Sequence, residues 1–231
     1  MIHFKIIYKI LGSLLFIEAS LMICCLVMAL CYNEDDLFAF IVSVITTLFC
    51  AFVLRHVGRN ADNFLSLRDA YLVVTLAWMV FSLFGTLPFI ISGYVPSFTD
   101  AYFETMSGFT TTGATILDNV DALPHGLLFW RSMTQWIGGL GIVFFTTAIL
   151  PSFVGGSVKV FAAEATGPIS SKLHPRLSTS AKWIWTVYFL LTLACVLSFM
   201  AFGMGWFDSL NYAMGSTATG GFSTHNNSAE F

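Results

Sequence analysis

Apolar residues run almost without interruption from Ile6 to about Tyr32, from Leu37 to Leu54, from about Ala70 to Ile91, from Leu127 to Leu150 and from about Trp183 to Phe202. Each run exceeds the roughly 17 residues needed to cross a hydrocarbon core at about 1.5 Å per residue, so each predicts a transmembrane helix. The polar breaks are short. Asn33, Glu34, Asp35 and Asp36 make an acidic turn after the first run, and Arg55, His56, Arg59 and Arg68 follow the second. Pro88 predicts a kink near the exit of the third, and Pro151 ends the fourth. The longest connection, Ser152 to Ala181, carries Lys159, Lys172, His174 and Arg176, with Lys182 just beyond, and contains no nucleotide fingerprint.

Lys5 and Lys9 ahead of an apolar run could open a signal peptide. This run is too long, holds Glu18 and lacks an A-x-A-like cleavage site, so it predicts a retained first helix. Glu18 is an intramembrane carboxylate and so a functional candidate. Its plainer reading is a protonated or hydrogen-bonded carboxyl facing a neighbouring helix.

Two segments break the apolar pattern in the same way. Ser97, Thr99 or Asp100 can cap a helix from about Asp100 to Phe109, which at about 15 Å reaches only halfway through a bilayer. A loop of hydroxyls and glycine follows, Thr110 to Thr115 (TTTGAT). Lipid-exposed backbone of this kind would leave N–H and C=O groups unpaired, so such a loop persists only inside protein or along a watery path. There its carbonyls become ligands, and the negative end of the short helix favours a cation. Further on, a second short helix, Asp208 to Met214, leads into a second loop, Gly215 to Thr224. A shift of 108 residues lays Arg68 on Arg176, Asp100 on Asp208, Met106 on Met214, Thr111 on Thr219 and Gly113 on Gly221. A shift of 107 would instead lay Gly113 on Gly220 and Thr110 on Thr217. The longer shift is preferred because it keeps both short helices equal in length, and a repeat at fixed spacing signals copies of one structural unit.

Composition fixes the class. With 57% hydrophobic residues, 10% charged and 24 Phe, the chain has too little polar surface for a soluble globule, and nothing in it suits nucleic acid. Cys24, Cys25, Cys31, Cys50 and Cys195 lie in or beside apolar runs without metal or disulfide spacing. With a cytoplasmic N-terminus, nine of the ten Lys and Arg fall inside, and only Arg131 lies outside. Most carboxylates fall outside, so both loops open toward an acidic outer vestibule that would concentrate cations.

The TTTGAT motif behind a short amphipathic helix, and ATGGFST at residues 218–224, resemble the Trk/Ktr/HKT superfamily of potassium transporters, specifically its bacterial TrkH type. The resemblance covers nearly the whole chain. It implies an all-α integral membrane protein of the bacterial cytoplasmic (inner) membrane, with repeated helix–pore helix–helix units of the potassium-channel type preceded by two extra transmembrane helices. On this reading residues 1–66 hold the two extra helices, 67–151 the first repeat, 152–181 a cytoplasmic connection, and 182–231 a second repeat cut off after its filter loop. It implies potassium as the transported ion, with Thr111, Thr112 and Gly113 as one filter strand and Thr219, Gly220 and Gly221 as another. It also implies a homodimer in membrane lipid, with a cytosolic nucleotide-binding regulatory subunit of the TrkA-like kind docking on the inner face. Four such repeats surround one pore in the family, whereas this chain stops ten residues past Gly221. The 231 residues alone are therefore expected not to conduct.

Two other function classes are open to the sequence. A membrane enzyme would have to use Glu18, His125 or His225, which stand isolated in the sequence without a second ligand or base nearby. His125 and His225 flank the two loops and are expected to face solvent. A non-conducting scaffold or assembly subunit is the other alternative.

Overall fold

The computed structural model describes residues 2–61, 67–141 and 174–228, and all of the regular structure in them is helical. Helix α1 spans Phe4–Tyr32, α2 Leu37–Val57, α3 Leu67–Gly85 and α4 Leu87–Ser92. After them come α5, Phe98–Phe109, a helix α6 over residues 125–141, α7, His174–Ala201, and α8, Trp206–Thr217. The stretches Phe4–Tyr32, Leu37–Val57, Arg68–Ser92 and Trp183–Ala201 are each long and apolar enough to cross a membrane. The end of the fourth apolar run and most of the basic connection lie outside the described residues.

Helices α1 and α2 form an antiparallel pair whose contact is built from small side chains. On α2, Ala39, Ser43, Thr47 and Ala51 recur every fourth residue and all are buried; the Thr47 hydroxyl lies 3.8 Å from Met22 Sδ, and the Ala51 carbonyl lies against Gly12 of α1. A stripe of small residues lets helix backbones approach closely, which is how helices associate where lipid gives no hydrophobic drive. Asn33 closes α1 in the left-handed region, φ 54°, where its short amide is well tolerated.

The third apolar run is interrupted at Thr86, beside the Pro88 that predicts a kink there. Pro88 has no N–H to give to the preceding turn, so α3 stops at Gly85 and α4 restarts at Leu87. The break frees the Gly85 carbonyl, and Trp130 on α6 donates its indole N–H to it at 3.0 Å. Trp130 is thus fully buried, and Trp136 donates to Thr192 at 3.0 Å.

Helices α5 and α8 are two half-length helices, 12 residues each and about 18 Å long. Both start two residues earlier than expected, with Asp100 and Asp208 inside the first turn; α5 ends at Phe109 as expected, and α8 runs three residues further, to Thr217. Ser97 caps α5, accepting from the Asp100 N–H at 3.4 Å, while Gly205 begins α8 without a side-chain cap. The main apolar cluster gathers Phe40, Phe89, Phe109, Leu127 and Trp130, so the C-terminal end of α5 is anchored where α2, α4 and α6 meet.

Candidate functional site: the paired half-helix loops

Both short helices end in the same hydrogen-bond pattern. At the end of α5, the Thr112 N–H reaches the Ser107 carbonyl and the Thr111 N–H the Gly108 carbonyl, each at 2.9 Å. At the end of α8, Gly220 bonds to Gly215 at 2.9 Å and Thr219 to Ser216 at 3.1 Å. This is the Schellman motif, which normally places glycine in the left-handed position. Here that position holds Thr111 in one copy and Thr219 in the other, both at φ 55°. A β-branched residue with positive φ is a strained outlier costing on the order of 1–2 kcal/mol. Two residues on, Gly113 and Gly221 also have positive φ, 74° and 84°. Helix limits, C-terminal caps and φ signs thus recur at a spacing of 108 residues.

The caps consume the N–H groups of each loop's first residues and leave the carbonyls unused. Among the described residues, no hydrogen bond ends on the carbonyl oxygens of Thr111, Thr112, Gly113, Thr219, Gly220 or Gly221. The two strands also touch. A Cβ on Gly113 would fall inside the van der Waals envelope of the Gly220 carbonyl oxygen, so the first strand admits the second only because residue 113 has no side chain. Bare peptide oxygens on two abutting strands, each at the negative end of a half-length helix, form a surface suited to a weakly hydrated cation.

Buried side chains brace this surface. Glu104 on α5 receives the Arg131 Nε at 2.8 Å, the Thr115 hydroxyl at 3.0 Å and the Ile116 N–H at 3.1 Å. Arg131 on α6 also donates to the Ser223 carbonyl at 3.0 Å and lies 4.2 Å from the centroid of the Phe222 ring. Arg131 is 2% exposed and so is no outer-surface charge: the carboxylate at its side keeps it inside the protein. One turn on, Gln135 accepts from the Phe222 N–H at 3.1 Å through Oε1. A single face of α6 therefore grips the exits of both loops.

Past the strands, the loops are tied to each other. His225 shares a hydrogen bond with Asp121 at 2.9 Å and lies 3.5 Å from Asp208, while Asn226 accepts from the Val120 N–H at 2.7 Å. His125 bonds to Glu34 at 2.8 Å and stacks on Tyr32 with centroids 3.8 Å apart. The two histidines face solvent as the sequence suggested, with side chains 36% and 47% exposed, and each is also held by a carboxylate. The bond to Asp121 holds the His225 pKa above its ordinary value, with the nearby Asp208 adding to it against some burial. Tyr32, His125, Phe207, Asp208, Thr224 and His225 bound a cleft of about 380 Å³ beside the second loop.

A family model described as "TrkH: Cation transport protein" matches residues 37–231. The chain belongs to the TrkH family. It is 40% identical over 223 residues to the Trk system potassium uptake protein TrkH of Halomonas elongata, covering 96% of this chain and 46% of that one. To the protein of the same name from Salmonella typhimurium it is 39% identical over 231 residues, covering 99% and 48%. The crystal structure of the potassium transporter TrkH from Vibrio parahaemolyticus superposes with a TM-score of 0.83 at 36% identity, covering 97% of this chain and 45% of that one. The chain spans about half the length of the curated relatives it matches.

Membership in the TrkH family makes this an all-helical membrane protein of a cation transport family, not an enzyme. Among the described residues, no three His, Cys, Asp or Glu side chains gather as a metal site. In this TrkH-family chain, sequence reasoning singled out the strand residues and missed the bracing of Glu104, Arg131 and Gln135. The available signal was the spacing of Arg131 and Gln135, four residues apart and polar on one face of an otherwise apolar helix.

Proposed function

We propose that this chain contributes two of the backbone strands of a potassium-selective filter, and that the protein it serves takes up potassium across the bacterial cytoplasmic membrane. Thr111, Thr112 and Gly113, with Thr219, Gly220 and Gly221, are the ligating residues. The observation that carries this reading is the contact of two identically capped loops at Gly113 and Gly220, with their carbonyl oxygens unbonded. Neutral carbonyl dipoles replace a hydration shell yet release the ion, and an inside-negative potential drives entry with about 2.3 kcal/mol per charge per 100 mV. The names of the relatives, potassium uptake proteins, agree with that cargo.

On this proposal residues 1–66 are an added helix pair, 67–151 and 182–231 are filter-bearing units, and 152–181 is a cytoplasmic connection. The protein is a homodimer with its N-terminus in the cytoplasm, and a nucleotide-binding regulatory subunit docks on the basic inner face. Crosslinking of that subunit is expected to label residues 152–182.

Gly113→Ala tests the filter. The added methyl group meets the Gly220 carbonyl, so the variant is expected to lose discrimination between potassium and sodium in uptake assays on cells lacking other potassium systems. A membrane-assembled Gly113→Ala protein with unchanged discrimination would overturn the assignment.

A further inference from the structure

The amide of Gln135 is fully buried, and its two ends are treated differently. Its oxygen is identified by the Phe222 N–H that it accepts, since only an acceptor can face that donor. The nitrogen must then point the other way, where it has no hydrogen-bond partner among the described residues. There it lies 3.8 Å from the point a Cβ of Gly113 would occupy, the same point that crowds the Gly220 carbonyl oxygen. A Cβ on Gly220 would in turn strike the Gln135 amide itself. A buried donor without a partner thus sits directly behind the place where the two strands meet.

We propose that Gln135 is a positioning residue that sets ion specificity, its spare N–H groups offering the Gly220 carbonyl an alternative to the cation. With an ion bound, the cation holds the carbonyl oxygen and the amide nitrogen stays unpaired. Without a well-fitting ion, the peptide turns back and the amide takes the oxygen. Gln135 so imposes a threshold that only a cation matched to the strands overcomes. The retained bond from Phe222 keeps the rest of the second strand in place while one peptide turns.

The inference rests on the filter reading, and one set of measurements separates the two. The intact pore-forming assembly containing this chain is assayed for potassium and sodium uptake as wild type, Gln135→Glu and Gln135→Met. If the wild type itself shows no potassium selectivity, the filter reading fails. If it is selective, Gln135→Glu keeps the acceptor for Phe222 but loses the spare donors. It is expected to lower the half-saturating potassium concentration and the potassium-to-sodium ratio about fivefold, the size of one hydrogen bond. Protonating the new carboxyl restores a donor, so in this variant both values should return toward wild type as the pH falls, a dependence the wild type lacks. Gln135→Met, similar in size and without polar atoms, should lose the ratio at every pH. Assembled variants with wild-type ratios and no new pH dependence would overturn the proposal. Should both variants fail to assemble, wild-type maps recorded in potassium and in sodium decide it. The Gly220 oxygen should approach the Gln135 nitrogen in sodium, and an unmoved carbonyl would overturn the idea.

Discussion

The guanidinium of Arg131 lies 2.8 Å from the carboxylate of Glu104, with the two side chains 2% and 0% exposed. This pair joins the first short helix to α6, and through the Ser223 carbonyl it reaches the second loop. Its value lies in connecting both copies of the repeat, because a buried ion pair contributes little net stability over an apolar replacement. Breaking it from one side is different, since the partner is left charged and buried. Arg131→Met and Glu104→Leu should each lower the stability of the detergent-solubilised protein by about 3–5 kcal/mol, whereas the double variant recovers most of the loss. Thermal unfolding of the four proteins in one double-mutant cycle measures this.

Thr111 and Thr219 hold the left-handed positions of their helix caps at φ 55°, where glycine is the unstrained choice. Thr111→Gly and Thr219→Gly should each raise stability by about 1 kcal/mol, the relief of a left-handed side chain less the extra freedom of unfolded glycine. Uptake should move the other way. Glycine in these positions would loosen the start of each strand, because it admits backbone conformations that threonine resists. A melting curve and a potassium uptake assay on the same preparation test the opposition.

Burial, with Glu34 beside it, pushes the Asp36 carboxyl from an ordinary 3.8 up to about 6. Between those values the folded protein holds a proton that the unfolded chain has released, so stability falls as the pH rises from about 4 to 6 and then levels off. Asp36→Asn should remove that slope and raise stability at neutral pH by about 1–3 kcal/mol. Thermal unfolding of both proteins between pH 4 and pH 8 shows whether the curves converge at the acid end, as this requires.

His225 carries the opposite kind of linkage. Its folded pKa lies above the usual 6.5, chiefly through the bond to Asp121, so its tie between the two outer loops is complete below the unfolded value and is lost as the pH rises through the folded one. Asp121→Asn removes the leading cause and should lower the His225 pKa toward the ordinary range. Imidazole resonances of histidine-labelled protein, followed through the titration, report it directly.

The spans and the repeat were legible because each is written locally. Twenty apolar residues in a row announce a helix, and Asp100, Met106, Gly113 meet Asp208, Met214, Gly221 at one spacing. The break at Thr86 was half legible: Pro88 signals a missing N–H, but the tryptophan that relieves the freed carbonyl comes from 45 residues away. Contacts such as His125 with Glu34, 91 residues apart, have no local signature. The burial of Arg131 was not legible, for a physical reason. A charge at the end of an apolar run is ordinarily in the headgroup region, and only the position of Glu104, 27 residues earlier, makes burial tolerable.

Glu18 separates stability from function most sharply. It is 1% exposed in the middle of α1, and neither carboxyl oxygen has a hydrogen-bond partner among the described residues. It faces Gly85, where α3 breaks. A polar group in this state costs about 1–3 kcal/mol, and an apolar side chain of similar length removes that cost. Glu18→Met should therefore raise the melting temperature if the carboxyl has no task. A retained buried carboxyl that destabilises its own fold marks a role in the membrane, so the same substitution should reduce potassium uptake, while Glu18→Asp, which keeps the titratable group, reduces it less. A Glu18→Met protein that is more stable and transports normally would show that the carboxyl is a packing accident of the first helix.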